Sequence, residues 1–257
     1  MDFNGTDGNL LLAFLDLTPQ SLVGFIVLAP LIALSLTVHE FWHAYSAELL
    51  GDHTAKREGR CTLNPLMHLD PIGTIALFIG PVGWARPVPF DPRNFRNASR
   101  GTMITVAAGP ASNLGLALIA GLLLRALPAL GVLPDLGAMS GPRGPTFVTW
   151  LYGSLTMFMF MNTFLCLFNL IPLYPLDGHH LFRETLKGEA RQRFIERQHL
   201  GVFVLIALLV SGPVFGVPII RMIIGGPAVR LMELFAGEKG LALGLFCREG
   251  LDSFMPW

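Results

Sequence analysis

The chain has 257 residues, 52% of them hydrophobic and 14% charged. Soluble domains carry about 25% charged residues, so this depletion argues against an ordinary soluble fold and for a polytopic membrane protein. Lysine plus arginine equals aspartate plus glutamate at 18 each, which leaves no global basic field for nucleic acid.

Three cysteines, Cys61, Cys166 and Cys247, are odd in number and widely spaced. They form neither a disulfide framework nor a Cys-x-x-Cys metal knuckle. The segment 1–20 carries Asp2, Asp7 and Asp16, and no lysine or arginine precedes Lys56. That charge is wrong for a cleaved signal peptide, so the first apolar helix is expected to stay in the mature protein.

That helix is predicted over 21–50, with Pro30 as a kink and Gly51 as its left-handed cap. At about 1.5 Å per residue it crosses roughly 30 Å of hydrocarbon. Toward its C-terminal end lies His39-Glu40-Phe41-Trp42-His43. Histidines at i and i+4 share one helix face and can meet a single zinc ion, with Glu40 beside them to take a proton from a metal-activated water. The competing explanation is an accidental pentad on a solvated face. It is weak here, because 21–38 contains no charged residue, and burying imidazoles and a carboxylate among apolar neighbours costs several kcal/mol unless they find partners.

The stretch 51–70 is polar and irregular, and 71–84 is apolar, rich in glycine and proline, and too short to cross as a helix. It is predicted to be a re-entrant loop or β-hairpin packed against protein, since unpaired backbone cannot face lipid. Gly83, Trp84, Arg86 and Val88 are the candidate substrate-binding residues, as an exposed strand edge that an unwound substrate joins by β-addition. Further apolar stretches follow at 103–127, 147–171 and 200–224, the last interrupted by Gly212, Pro213 and Pro218. The expected fold is an all-α polytopic helical bundle with a re-entrant or β-hairpin segment between the first and second full spans. Its organisation is a short N-terminal segment 1–20, a transmembrane core 21–224 and a C-terminal tail 225–257.

Lys56, Arg57, Arg60, Arg86, Arg93, Arg96 and Arg100 crowd the stretch 51–101, and Arg183, Lys187, Arg191, Arg193 and Arg197 crowd 172–198. The opposite side carries only Arg125 and Arg143 around the loop between the second and third full spans. By the positive-inside rule both dense loops, and the histidine end of the first helix, face the cytoplasm of the cell (inner) membrane.

A catalytic zinc takes about three protein ligands plus water, so a third ligand is required. Glu58, Asp70, Asp177 and His68 are the candidates. Glu58 sits in a charged run beside Lys56 and Arg57, and Asp70 precedes Pro71 as turn chemistry. Asp177 follows an apolar span in Asn169-Leu170-Ile171-Pro172-Leu173-Tyr174-Pro175-Leu176-Asp177-Gly178. Two prolines there break the helix, a break tolerated in lipid only where it lines protein or a water cavity. It lies on the same side as the histidines.

The two motifs together, His39-Glu40-x-x-His43 and Asn169-x-x-Pro172-x-x-Pro175-Leu176-Asp177-Gly178, resemble those of the site-2 protease family of intramembrane zinc metalloproteases. The likeness extends to Gly59-Arg60-x-Thr62-Leu63-Asn64-Pro65 and to the run from Gly83 through Trp84, Ala85, Arg86, Pro87 and Val88 to Pro89. It implies a zinc-dependent endopeptidase that cuts single-span membrane proteins within the lipid bilayer. His39, His43 and Asp177 would hold Zn2+, Glu40 would be the general base, and Asn169 would assist at the scissile carbonyl. The expected form is a minimal member without PDZ or CBS modules. His179 and His180 depart from the family pattern and are expected as solvated surface histidines, with an auxiliary metal or proton role as the other option. Two different activities compete: a membrane-surface zincin acting on soluble peptides, and a zinc transporter or metal sensor. Glu40 counts against the second, because transport needs no base.

Overall fold

In lipid a chain must satisfy its backbone internally, and helices do so within one segment. The computed structural model describes residues 19–73, 85–135 and 145–251. Among these it is mostly helical and contains no strand beyond an isolated antiparallel bridge between Leu69 and Ala85. The elements are α1 (Pro19–Leu49), α2 (Thr54–Arg57), α3 (Ala98–Ala129), α4 (Phe147–Asn169), α5 (Asp177–Thr185), α6 (Gly188–Glu196), α7 (Gln198–Phe215) and α8 (Ile219–Leu251).

Local sequence sets several of the ends. Asn97 and Thr146 cap α3 and α4, each side chain accepting from the backbone N–H three residues on. After α1 the chain turns at Gly51, whose φ of +100° suits a residue without a Cβ. Among the described residues α3 and α4 are long and apolar enough to cross a membrane, and the pair Gly188–Glu196 and Gln198–Gly212, bent by 57°, makes a third if it is one span. α1 carries the charge-free stretch 21–38.

α3, α4 and α8 enclose the main core, in which Leu124, Tyr152, Met159, Met232, Phe235 and Leu241 are buried together. Small residues let these helices approach: a Cβ on Gly240 would lie 2.6 Å from the Leu124 carbonyl oxygen. Close backbone packing of this kind replaces the hydrophobic force that is missing between helices in lipid.

The region after residue 225 is helical as far as Leu251, with a break at Gly237. It belongs to α8, whose buried positions Ile224, Ala228, Met232 and Phe235 recur at helical spacing, while Arg230, Glu233, Glu238 and Lys239 stay exposed. Those charges lower the mean hydropathy of the segment without touching its buried face. The expected apolar stretch 200–224 divides at Gly216, which is left-handed at φ +68°, just before Pro218. The expected re-entrant or hairpin segment lies outside the described residues over 74–84. Its flanks adjoin antiparallel: Leu69 pairs with Ala85, and the Arg86 N–H donates to the His68 carbonyl at 2.7 Å.

Candidate metal centre

His39 and His43 lie one turn apart on α1, and Asp177 opens α5 just beyond the Pro172 and Pro175 break. A Cβ on Gly178 would overlap the carbonyl oxygens of Leu170 and Ile171, so only glycine permits the tight return that starts α5. The result is convergence of three acceptors. The two histidine Nε2 atoms are 3.0 Å apart, and Asp177 Oδ2 lies 3.2 Å from His39 Nε2 and 3.4 Å from His43 Nε2. Of the candidate third ligands, Asp177 is the one grouped with the histidines among the described residues. His68 is buried elsewhere, with Nε2 on the Thr62 carbonyl at 2.8 Å.

The far sides of both imidazoles set their tautomers. His43 Nδ1 lies 2.7 Å from the Thr105 carbonyl oxygen, which can only accept, so Nδ1 carries the proton. His39 Nδ1 lies 2.6 Å from Asn113 Oδ1. The Asn113 amide nitrogen donates to the Ser35 carbonyl at 3.3 Å and to Asn162 Oδ1 at 2.9 Å, which turns its oxygen toward His39. Asn162 in turn donates to Ser35 Oγ at 2.9 Å and to the Phe158 carbonyl at 2.9 Å. Both Nε2 lone pairs are thereby left free toward Asp177, whose Oδ2 is buried without a hydrogen-bond donor.

Two lone pairs and a carboxylate oxygen packed together repel one another unless a cation joins them. Tetrahedral zinc with bonds of about 2.0–2.1 Å spaces its ligands by about 3.3 Å, close to the observed separations. Gly109 of α3 completes the cradle: a Cβ there would lie 2.7 Å from His39 Nε2 and overlap His43 Nε2. The donor set and spacing fit zinc.

Comparison with known proteins agrees. The model of peptidase family M50 matches residues 136–212, the part that contains the Asn169 to Gly178 motif. The chain is 38% identical to the zinc metalloprotease YwhC of Bacillus subtilis over 193 residues, 75% of this chain and 83% of that protein. The chain belongs to the M50, or site-2 protease, family. It is also 27% identical to the zinc metalloprotease Rip2 of Mycolicibacterium smegmatis over 75% of this chain and 70% of that one. Rip2 of Mycobacterium tuberculosis is 29% identical over 71% and 68%. No solved structure matches the chain. As an M50 member the protein is a zinc metalloendopeptidase, a hydrolase of membrane context.

Other expected site residues are placed as follows. Glu40 is buried and accepts from the Val88 N–H at 3.1 Å. Asn169, near the C-terminal end of α4, donates one amide hydrogen to the Leu165 carbonyl at 3.0 Å. Gly83 and Trp84 lie outside the described residues. Arg86 and Val88 lie on a segment whose backbone N–H groups are engaged. The Arg86 N–H is on His68, the Val88 N–H is on Glu40, and Pro87 and Pro89 have no N–H to offer. His179, expected on a solvated surface, is buried and stacks on Phe194 at 4.8 Å. Burial, with the Arg183 cation, pushes its pKa down.

Sequence reading passed over Ser35, Thr105, Gly109, Asn113 and Asn162. Asn113 and Asn162 did carry a signal, since each is an amide in an apolar span and needs a partner there. Partners that orient ligating histidines are worth about 10–100-fold in metal affinity. Asn113→Leu is therefore expected to lower zinc retention by about that factor, read as zinc per chain against a competing chelator. Wild-type retention would show that the Asn113 contact does not orient His39.

Proposed function

We propose that this protein is an intramembrane endopeptidase that cuts the transmembrane segment of single-span membrane proteins on the cytoplasmic side of the cell (inner) membrane. The carrying observation is that the His39, His43 and Asp177 cluster is tied into a buried polar network among the apolar helices α1, α3 and α4. The arginine-rich and lysine-rich stretches around 51–101 and 172–198 support the orientation.

His39, His43 and Asp177 would hold the zinc. When bound, zinc supplies Lewis acidity that lowers the pKa of water and polarises a peptide carbonyl. Glu40, steadied by the Val88 N–H, takes the proton of the attacking water and returns it to the leaving amine. Asn169 has a second amide hydrogen beyond the one on Leu165, and it donates to the carbonyl oxygen as negative charge develops. Asp177 has the most exposed side chain of the three ligands, at 18%, so water approaches past α5.

The test is a comparison of one sequence in two settings. Purified protein in proteoliposomes should cleave a tagged single-span segment at least about 10-fold faster than the same segment as a detached soluble peptide, since only the first is delivered within the bilayer. Equal rates would favour a zincin working at the membrane surface.

A further inference from the structure

Arg60 stands out as a buried cation with no use in the mechanism so far. It is 2% exposed. Among the described residues it has no carboxylate within ion-pair distance, and its Nε atom is buried without a hydrogen-bond partner. Such burial is costly and calls for a reason. Its Nη2 donates to the carbonyl oxygens of Arg86 and Pro87, the latter at 3.3 Å.

The Pro87 carbonyl and the Val88 N–H belong to one planar peptide group. In a trans peptide these two groups point in opposite directions, so the guanidinium of Arg60 sits at one end of a single dipole and the carboxylate of Glu40 at the other. A donor on the carbonyl strengthens the N–H as a donor, because bonds in such a chain polarise one another. The plane is also held further along the chain. Asp52, fully buried, accepts from the Asp91 N–H at 2.7 Å and from Asn94 Nδ2 at 2.8 Å, which clamps the segment three residues after Val88. Because Pro87 and Pro89 flank Val88, the N–H aimed at Glu40 has no neighbouring donor to replace it.

We propose that Arg60 is a positioning residue for peptide hydrolysis, acting through the Pro87–Val88 peptide to aim the Glu40 carboxylate. Arg60 makes no hydrogen bond to the ligand cluster or to Glu40; beside the attraction between the two charges, its hydrogen-bonded route to Glu40 runs through one backbone N–H. The inference rests on Glu40 being the base, and the test separates the two ideas.

Zinc content, kcat and KM are measured for wild type, Glu40→Gln, Arg60→Met, Arg60→Lys, Val88→Pro and the Arg60→Met, Val88→Pro double variant. The probe is a tagged single-span segment that wild type cleaves in proteoliposomes. Arg60→Met is expected to lower kcat about 10–100-fold with KM and zinc content near wild type, a part of the 10²–10⁴-fold that a positioned base contributes. Arg60→Lys restores part of the rate, since it keeps a donor but loses the fork. The double variant is no slower than the slower single, because both remove the same link. Losses that multiply, or a loss of zinc in Arg60→Met, would overturn the inference and reduce Arg60 to a structural residue. Full activity in Arg60→Met beside an inactive Glu40→Gln overturns it while sparing Glu40, whereas an active Glu40→Gln removes the reading beneath it.

Discussion

Glu40→Gln is expected to lower peptide cleavage by about 10²–10⁴-fold while zinc stays bound at the wild-type ratio. Glutamine keeps an oxygen to accept the Val88 N–H, so the segment that rests on Glu40 has no reason to move. What it loses is the basic oxygen, and with it the group that removes a proton from water and delivers one to the amine. The three ligating atoms belong to other side chains, so metal affinity should hold. The same variant separates chemistry from carriage: a protein that moved or sensed zinc would work unimpaired with glutamine there. Elemental analysis of zinc and the cleavage rate of one preparation decide the matter, and a rate within a few-fold of wild type would remove Glu40 from the reaction.

Gly109→Ala is expected to empty the metal centre without unfolding the protein. The added methyl would sit 2.7 Å from His39 Nε2 and nearer still to His43 Nε2, well inside the separation of about 3.5–4.0 Å at which carbon atoms rest. Neither imidazole can swing aside freely, since its other nitrogen is bonded to Asn113 or to the Thr105 carbonyl. Alanine meanwhile suits a helix interior better than glycine by about 0.8–1.0 kcal/mol, so α3 itself gains rather than loses. Zinc affinity should fall by about 10–100-fold or more, and cleavage should fall with it unless zinc is supplied in excess. The metal-free protein should still unfold cooperatively, with an unfolding temperature lowered by a few degrees, because overpacking costs about 1–3 kcal/mol and the helix gain offsets only part of it. Wild-type zinc content in this variant would mean that α3 stands further from the imidazoles than Gly109 indicates.

Much of the centre was readable along the chain because its signals are local. Two histidines four apart share a helix face whatever surrounds them, and a proline-broken run ending in Asp177 and Gly178 announces a carboxylate where an apolar span stops. The spans were readable for a similar reason, since a charge-free stretch long enough for a bilayer is a property of composition. α8 is harder to read, because its exposed charges dilute an apolar face that only helical spacing reveals.

Partner choice is different in kind. An asparagine inside an apolar helix states that it needs a hydrogen bond, but its place in the chain does not say that Asn113 meets His39 across 74 positions, or Asn162 meets Ser35 across 127. The same holds for Arg60, Pro87, Val88 and Glu40, whose alignment depends on how α1 and the following loop pack. Residue types and their spacing thus set which atoms can bind zinc and which segments enter the membrane. Packing of α1 against α3 and α4, and of α5 against α3, sets which way those atoms face, because a hydrogen bond acts over about 3 Å while its partners are separated by tens of residues.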